Sequence, residues 1–311
     1  MKCFVTGGAG FIGSNLVDRL IIEGHNVKVY DNLSTGRMDN ILGATESTWF
    51  SMTEGDLHEV ELLRSAMEGS DIVFHFAANA DVRHGPEHPL LDFDQNTIGT
   101  INVLEAMRSN GIKRIVFASS ASVYGEPETP TPENTPCYQT SLYGASKHAA
   151  EGFIEAYCEA FGMTASILRF VSVLGERYSH GHIVDFCQQL KENPDRLEVL
   201  GDGNQRKSYI YVGDVVNAVL STMVFSDPGA RIYNVGNEDT ITVRESIKVI
   251  CEEMGCNPTV KYGTEPRGWI GDNPNILLDA SRLRDMEWRP ETSIYAAIRK
   301  TVYWWQYENV R

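Results

Sequence analysis

The run TGGAGFIG at residues 6–13 constrains this chain more than any other stretch. It follows a short β-rich segment, Lys2–Thr6, and opens a pattern in which Ile12, Leu16, Leu20 and Ile21 recur at helical spacing. Gly7, Gly10 and Gly13 permit a tight strand-to-helix turn and a close approach of backbone to an anion. The N-terminus of the helix that follows then faces the anion. A second β-rich segment, 26–30, leads into Asp31, 18 residues after Gly13, where a carboxylate can accept from both hydroxyls of an adenosine ribose. Glycines alone are common in such turns for steric reasons. Joined to Asp31 they predict a dinucleotide site, and a carboxylate there repels a 2′-phosphate, which favours NAD over NADP.

The rest of the first half keeps the same rhythm. Further strands are expected at 49–52, 71–76, 114–119 and 164–170, separated by helical patterns that Gly24, Gly111 and Gly162 close. Alternation of this kind predicts an α/β fold, a doubly wound parallel sheet with right-handed crossovers. After Gly175 the pattern mixes: a helix at 183–191, a glycine turn at 201–203, a strand at 209–212, a helix from Gly213 and an aromatic C-terminal helix whose Tyr303, Trp304 and Trp305 are expected in core packing. Residues 1–171 plus about 208–226 are expected to form the nucleotide domain, and about 172–207 plus 227–311 a smaller α/β lobe.

Composition narrows the function classes. Asp plus Glu number 42 against 27 Lys plus Arg, a formal charge of −15, which opposes binding to nucleic acid or an anionic membrane. No apolar run is long enough to span a bilayer and the start lacks a signal-peptide pattern, so a cytoplasmic protein is expected. The six cysteines, Cys3, Cys137, Cys158, Cys187, Cys251 and Cys256, show no C-x-x-C pair and read as reduced thiols; no metal is expected. His180 and His182 lack a third partner at ligand spacing and read as a polar loop near the nucleotide.

Two further motifs point to chemistry. In YGASK, Tyr143 and Lys147 are four apart, on one helix face, so the ammonium is expected to lie beside the phenol and lower its pKa toward the range of a base. In SSASVYG, residues 119–125, Ser120 stands at the end of an expected strand.

TGGAGFIG, SSASVYG and YGASK together make the chain resemble the extended short-chain dehydrogenase/reductase family, and within it the sugar-nucleotide epimerases of the UDP-glucose (UDP-galactose) 4-epimerase type. GDGNQRKSYIYVGDV, residues 201–215, and RGWIGD, residues 267–272, extend the resemblance over nearly the whole chain. It implies a Rossmann fold with bound NAD, a UDP-sugar substrate and a homodimer built from helices near 92–110 and 143–161. Tyr143 would be the catalytic base, Lys147 its tuner and the anchor of the nicotinamide ribose, and Ser120 the hydroxyl that relays or orients the proton. Phe11 and Ile12 would meet the pyrophosphate through their backbone amides, Asp31, Asn32, Leu33, Ser34 and Gly36 would surround the adenosine ribose, Asp56 and Leu57 the adenine, and Phe76, Ala77, Ala78, Ala80 and Val171 the rest of the cofactor. Ser120, Ser122, Tyr143, Ser172, His182, Lys207, Arg267 and Asp272 would meet substrate, with Lys207 and Arg267 on its phosphates. Arg83 lies near the expected cofactor edge.

Departures from the family pattern sharpen the expectation. Related dehydratases and decarboxylases carry an acid two positions before the tyrosine of VYG; Ala121 and Ser122 stand here, which favours redox chemistry at one carbon over elimination. Ser172 replaces the family asparagine, and Lys207 an arginine, losing the bidentate fork. Ile276 falls where some members hold a bulky tyrosine, which leaves room for a larger 2-substituent. The competing readings are an epimerase for UDP-N-acetylhexosamine or UDP-glucuronate, a reductase or dehydratase of the same family, and an NAD sensor without chemistry.

Overall fold

In the computed structural model, residues 1–80, 82, 85–223, 227–269 and 271–307 are described. Arg83 lies outside them. The strands are β1 Lys2–Thr6, β2 Asn26–Asp31, β3 Phe50–Glu54, β4 Ile72–His75, β5 Arg114–Ser120, β6 Thr164–Phe170, β7 Ser172–Leu174, β8 Arg196–Val199, β9 Arg206–Lys207, β10 Tyr209–Tyr211, β11 Gly229–Val235, β12 Ile241–Thr242, β13 Thr259–Tyr262 and β14 Asn275–Ile276. The α-helices are α1 Phe11–Ile22, α2 Leu42–Thr45, α3 Val60–Met67, α4 Pro89–Asp92, α5 Gly99–Ser109, α6 Leu142–Phe161, α7 His182–Glu192, α8 Val212–Ser221, α9 Val243–Met254, α10 Ser281–Arg284 and α11 Ile294–Tyr307.

Seven parallel strands form the main sheet in the order β11-β6-β5-β4-β1-β2-β3. Side chains alternate across it with the period of two that a strand imposes. Cys3 and Val5 of β1 join a core with Leu16, Val17 and Leu20 of α1 and Val215 and Val219 of α8, whereas Phe4 joins Leu63, Leu104, Met107 and Ile154 on the opposite face. Both faces are thus covered by helices, which is why the strands read as continuous apolar runs. The strand order reverses between β1 and β4, and the crevice above the C-terminal ends of those two strands is where such sheets bind ligands. Gly24, Gly111 and Gly162 all take the left-handed φ expected of helix-closing residues.

The lobe forms around a third core, in which Phe186 and Leu190 of α7 meet Ile247 and Ile250 of α9 and Ile298 and Val302 of α11. Its strands pair in small sets: β9 between β12 and β14, β8 with β13, and β7 with β10. One boundary differs from expectation. Residues 229–235 do not belong to this lobe: β11 pairs with β6 over seven positions, from Gly229 opposite Thr164 to Val235 opposite Phe170, and completes the main sheet. Only Asn234 and Val235 of this edge strand are buried, so its apolar pattern is too sparse to announce a sheet strand. Tyr303 also departs, being 56% exposed, because α11 turns Ile294, Ala297, Ile298 and Val302 inward instead.

Candidate active site

The glycine run sits where β1 meets α1, in the crevice at the point of strand reversal. Gly7 has φ +69°, and a Cβ there would lie 2.5 Å from the Ala77 nitrogen; a Cβ on Gly13 would lie 2.1 Å from the Gly7 carbonyl oxygen. Backbone therefore packs on backbone, and only hydrogen fits. Gly10 caps α1 without a side-chain bond, which leaves the first-turn amides of Phe11 and Ile12 to an outside acceptor. Asp31, 6% exposed, closes the floor: Oδ2 accepts from Ala9 N–H and Oδ1 from Leu33 N–H, both at 2.9 Å. Burial raises its pKa and these two bonds oppose the rise. Each carboxylate oxygen keeps a lone pair for a ribose hydroxyl. A Cβ on Gly36 would approach Asp31 Oδ1 to 2.8 Å, so the loop after β2 closes tightly on the carboxylate.

Neighbouring side chains shape the rim. Asn32 donates to Asp56 Oδ2 at 2.7 Å and accepts from Ser34 N–H and Oγ–H. The other Asp56 oxygen is held by His58, and Leu57 packs into the core opposite α1. Phe76, Ala77 and Ala78 are half-buried just past the end of β4, and Ala80 is exposed. Phe76 stacks on Phe170, and the neighbouring Val171 is 3% exposed. These groups fit NAD: a backbone cradle, an uncapped helix N-terminus and a buried carboxylate, in the order its pyrophosphate and adenosine require.

The reactive groups come from β5 and α6. Ser120 ends β5, where its Oγ accepts from Ser122 N–H at 3.2 Å and Ser122 Oγ–H at 2.9 Å. Ser141 caps α6 through Gly144 N–H, and a Cβ on Gly144 would sit 2.6 Å from the Ser122 carbonyl oxygen. This contact docks the first turn of α6 against the end of β5 and carries Tyr143 to Ser120. Burial pushes the Tyr143 phenol up to about 12; Ser120 pulls the other way and Asp92 adds to the rise. The expected lowering by Lys147 is not found. Lys147, 2% exposed, donates from Nζ to the Ala118 carbonyl oxygen at 2.9 Å and lies 4.8 Å over the Phe117 ring, so its ammonium is committed to the end of β5. Burial brings that ammonium down to about 8, against the pull of Glu151 and Asp92.

Two groups escaped the sequence reading. Residues 93–98 form a π-turn between α4 and α5, and it directs Asn96 inward. Asn96 Oδ1 accepts from Asn79 N–H at 2.8 Å, while its amide donates to Asn79 O and to Ser146 Oγ. It thereby ties the loop after β4 to the helix that bears Tyr143. The polar run NTIGT at 96–100, inside an apolar helical pattern, was the available signal. The other group is Glu151, four residues beyond Lys147, paired at 2.6 Å with buried Arg169 of β6 and hydrogen-bonded by Ser119.

On the lobe side, Lys207 pairs with Asp272 and lies over the Trp269 ring, and Asp272 also accepts from Gly268 N–H. Arg267 pairs with Glu126 at 2.5 Å, and Asn273 donates to Gly125 O at 2.6 Å. Arg267 and Asn273 are thus tied to the VYG turn and the residue after it. Ser172 opens β7 opposite Tyr209. His182 is not in a polar loop. It begins α7, packs edge-on to Phe186 and 5.1 Å from Tyr209, and burial lowers its pKa to about 3.

Residues 3–236 match the model of the NAD dependent epimerase/dehydratase family. The UDP-glucose 4-epimerase of Mycolicibacterium smegmatis is 33% identical over 309 residues, 97% of each chain. A crystal structure of UDP-galactose 4-epimerase superposes with a TM-score of 0.90 at 36% identity over the whole of both chains. That of the Thermus thermophilus UDP-glucose 4-epimerase in complex with NAD gives 0.87 at 33% identity over 99% of each.

Proposed function

Because the chain belongs to the NAD dependent epimerase/dehydratase family and is an NAD-dependent sugar-nucleotide epimerase, we propose that it inverts the 4-hydroxyl of a UDP-hexose of the glucose/galactose type. What supports this reading is the close packing of Gly144, next to Tyr143, on the Ser122 carbonyl oxygen beside Ser120, with no carboxyl group at 121 or 122.

Tyr143 takes the proton from the 4-hydroxyl and later returns it, and Ser120 holds the phenol oxygen in line. Bound NAD supplies the hydride acceptor and donor at the same carbon, and its oxidised ring carries a positive charge that favours the phenolate. Lys147 fixes the end of β5 through Ala118, and its remaining N–H donors would hold the nicotinamide ribose. The sugar passes through a 4-keto form that turns about its bond to the diphosphate, so the nucleotide must be held while the hexose is free. Lys207 and Arg267 hold the diphosphate by exchanging their carboxylate partners, Asp272 and Glu126. Ser122, Ser172 and His182 would contribute further polar contacts to the substrate.

Cytoplasmic location and a homodimer complete the proposal. Among the described residues no helix is long and apolar enough to cross a membrane. Leu90, Leu91 and Phe93 beside α5, and Phe153 on α6, are all at least 41% exposed on neighbouring helices, an apolar surface suited to a second copy.

The test is a product profile. Purified protein is incubated separately with UDP-glucose, UDP-galactose, UDP-N-acetylglucosamine and UDP-glucuronate. The proposal predicts the same glucose/galactose mixture from either side without net NAD(H) turnover. A stoichiometric redox product, or conversion confined to the acetylated or acidic sugar, overturns it.

A further inference from the structure

The lobe carries a group of thiols that the epimerase chemistry leaves unused. Cys251 lies in the last turn of α9, Cys256 two residues past its end, and Cys187 faces them from α7. At this helix end Cys256 N–H donates to Cys251 O at 3.1 Å and Gly255 N–H to Glu252 O at 3.3 Å, with Gly255 at φ +66°. The two reverse bonds define a Schellman motif, whose first and sixth residues ordinarily seal the helix end with an apolar contact. Here both positions are cysteine. The 6→1 bond pins the two backbones together, as the roughly 4.4–6.8 Å Cα span of a disulfide demands.

We propose that Cys251 and Cys256 are a reversible dithiol/disulfide pair, oxidised by a low-molecular-weight disulfide such as oxidised glutathione, that closes the C-terminal end of α9 covalently. Cys256, the residue past the helix end, is the entering nucleophile; burial, reinforced by its neighbour, pushes the Cys251 thiol up. The Cys256 thiolate attacks one sulfur of oxidised glutathione, forming a mixed disulfide and releasing one glutathione thiolate. Cys251 then gives its proton to solvent, attacks the Cys256 sulfur and releases the second glutathione. Two protein thiols are oxidised by two electrons in all, and one glutathione disulfide is reduced to two thiols. Cys187, 0% exposed beneath the pair, is shielded from the incoming disulfide.

The experiment treats the whole protein with oxidised glutathione and maps the products by thiol titration and peptide mass spectrometry. Two of the six free thiols should disappear, the intact mass should fall by two hydrogens, and one peptide link should join Cys251 to Cys256. Dithiothreitol should reverse the change. The thermal midpoint of the oxidised form should rise by about 2–4 °C, with epimerisation within about twofold of the reduced form, because no active-site group moves. Cys256→Ser, a change at a partly exposed position, should abolish the link, and Cys187→Ser should keep it. Six titratable thiols after treatment, a glutathione adduct that never resolves, or a link through Cys187 overturns the proposal.

Discussion

Tyr143, Lys147 and Glu151 follow one another at successive turns of α6, and the charge of Lys147 depends on Glu151. The sequence spacing revealed that they share a face. It could not reveal that Lys147 would bond to Ala118 and leave the phenol to burial, because that outcome depends on where the end of β5 lies relative to the helix. Glu151 keeps the buried ammonium charged and is itself balanced by Arg169. In Glu151→Gln the Lys147 pKa should fall below its value of about 8, so the alkaline limb of the kcat profile should move to lower pH. Stability should drop by about 3–5 kcal/mol because Arg169 is stranded, whereas Glu151→Gln combined with Arg169→Met should recover much of that loss while keeping the shifted limb. Denaturant melts and pH–rate curves on the three proteins check both halves; an unshifted limb contradicts the charge role.

At the scale of elements, β1, β2 and β4 to β6 were legible because both faces are buried, and α1 and α6 because their caps and spacing agree. β11 was not, since its pairing with β6 rather than its own side chains makes it a strand. The π-turn at 93–98 was also hidden, because an extra residue in a helical turn leaves little trace in periodicity. Gly144 was read as part of a motif, and the structure supplies its reason: helix α6 and the turn after β5 touch at its Cα. Gly144→Ala should force the first turn of α6 away from Ser122, costing about 1–3 kcal/mol in stability. It should lower kcat far more than it raises KM, since Tyr143 shifts while the nucleotide contacts of the lobe stay put. Thermal melts and steady-state kinetics test this. Unchanged kcat would mean the contact does not position the phenol.

The whole molecule couples its cofactor crevice to its stability through a buried histidine. His75, at the end of β4, is 1% exposed between Thr6 Oγ1 at 2.7 Å and Thr100 Oγ1 at 2.9 Å, and burial, aided by Lys147, lowers its pKa from 6.5 to about 3. Between those values the unfolded chain binds a proton that the folded chain refuses. Stability from this group is therefore complete above pH 6.5 and falls by about 1.4 kcal/mol per unit as the pH drops below it. Melts at pH 7.5, 6 and 5 should show the decline, and His75→Asn should show less of it; equal slopes would contradict the assignment. The proposed mechanism rests on one phenol acting as the proton carrier. The direct measurement is UDP-glucose/UDP-galactose interconversion, followed from each side, in the wild type and in Tyr143→Phe with NAD occupancy determined on both. The account predicts NAD retained and the rate reduced about 10²–10⁴-fold in both directions; a Phe variant that interconverts the sugars at the wild-type rate would contradict it.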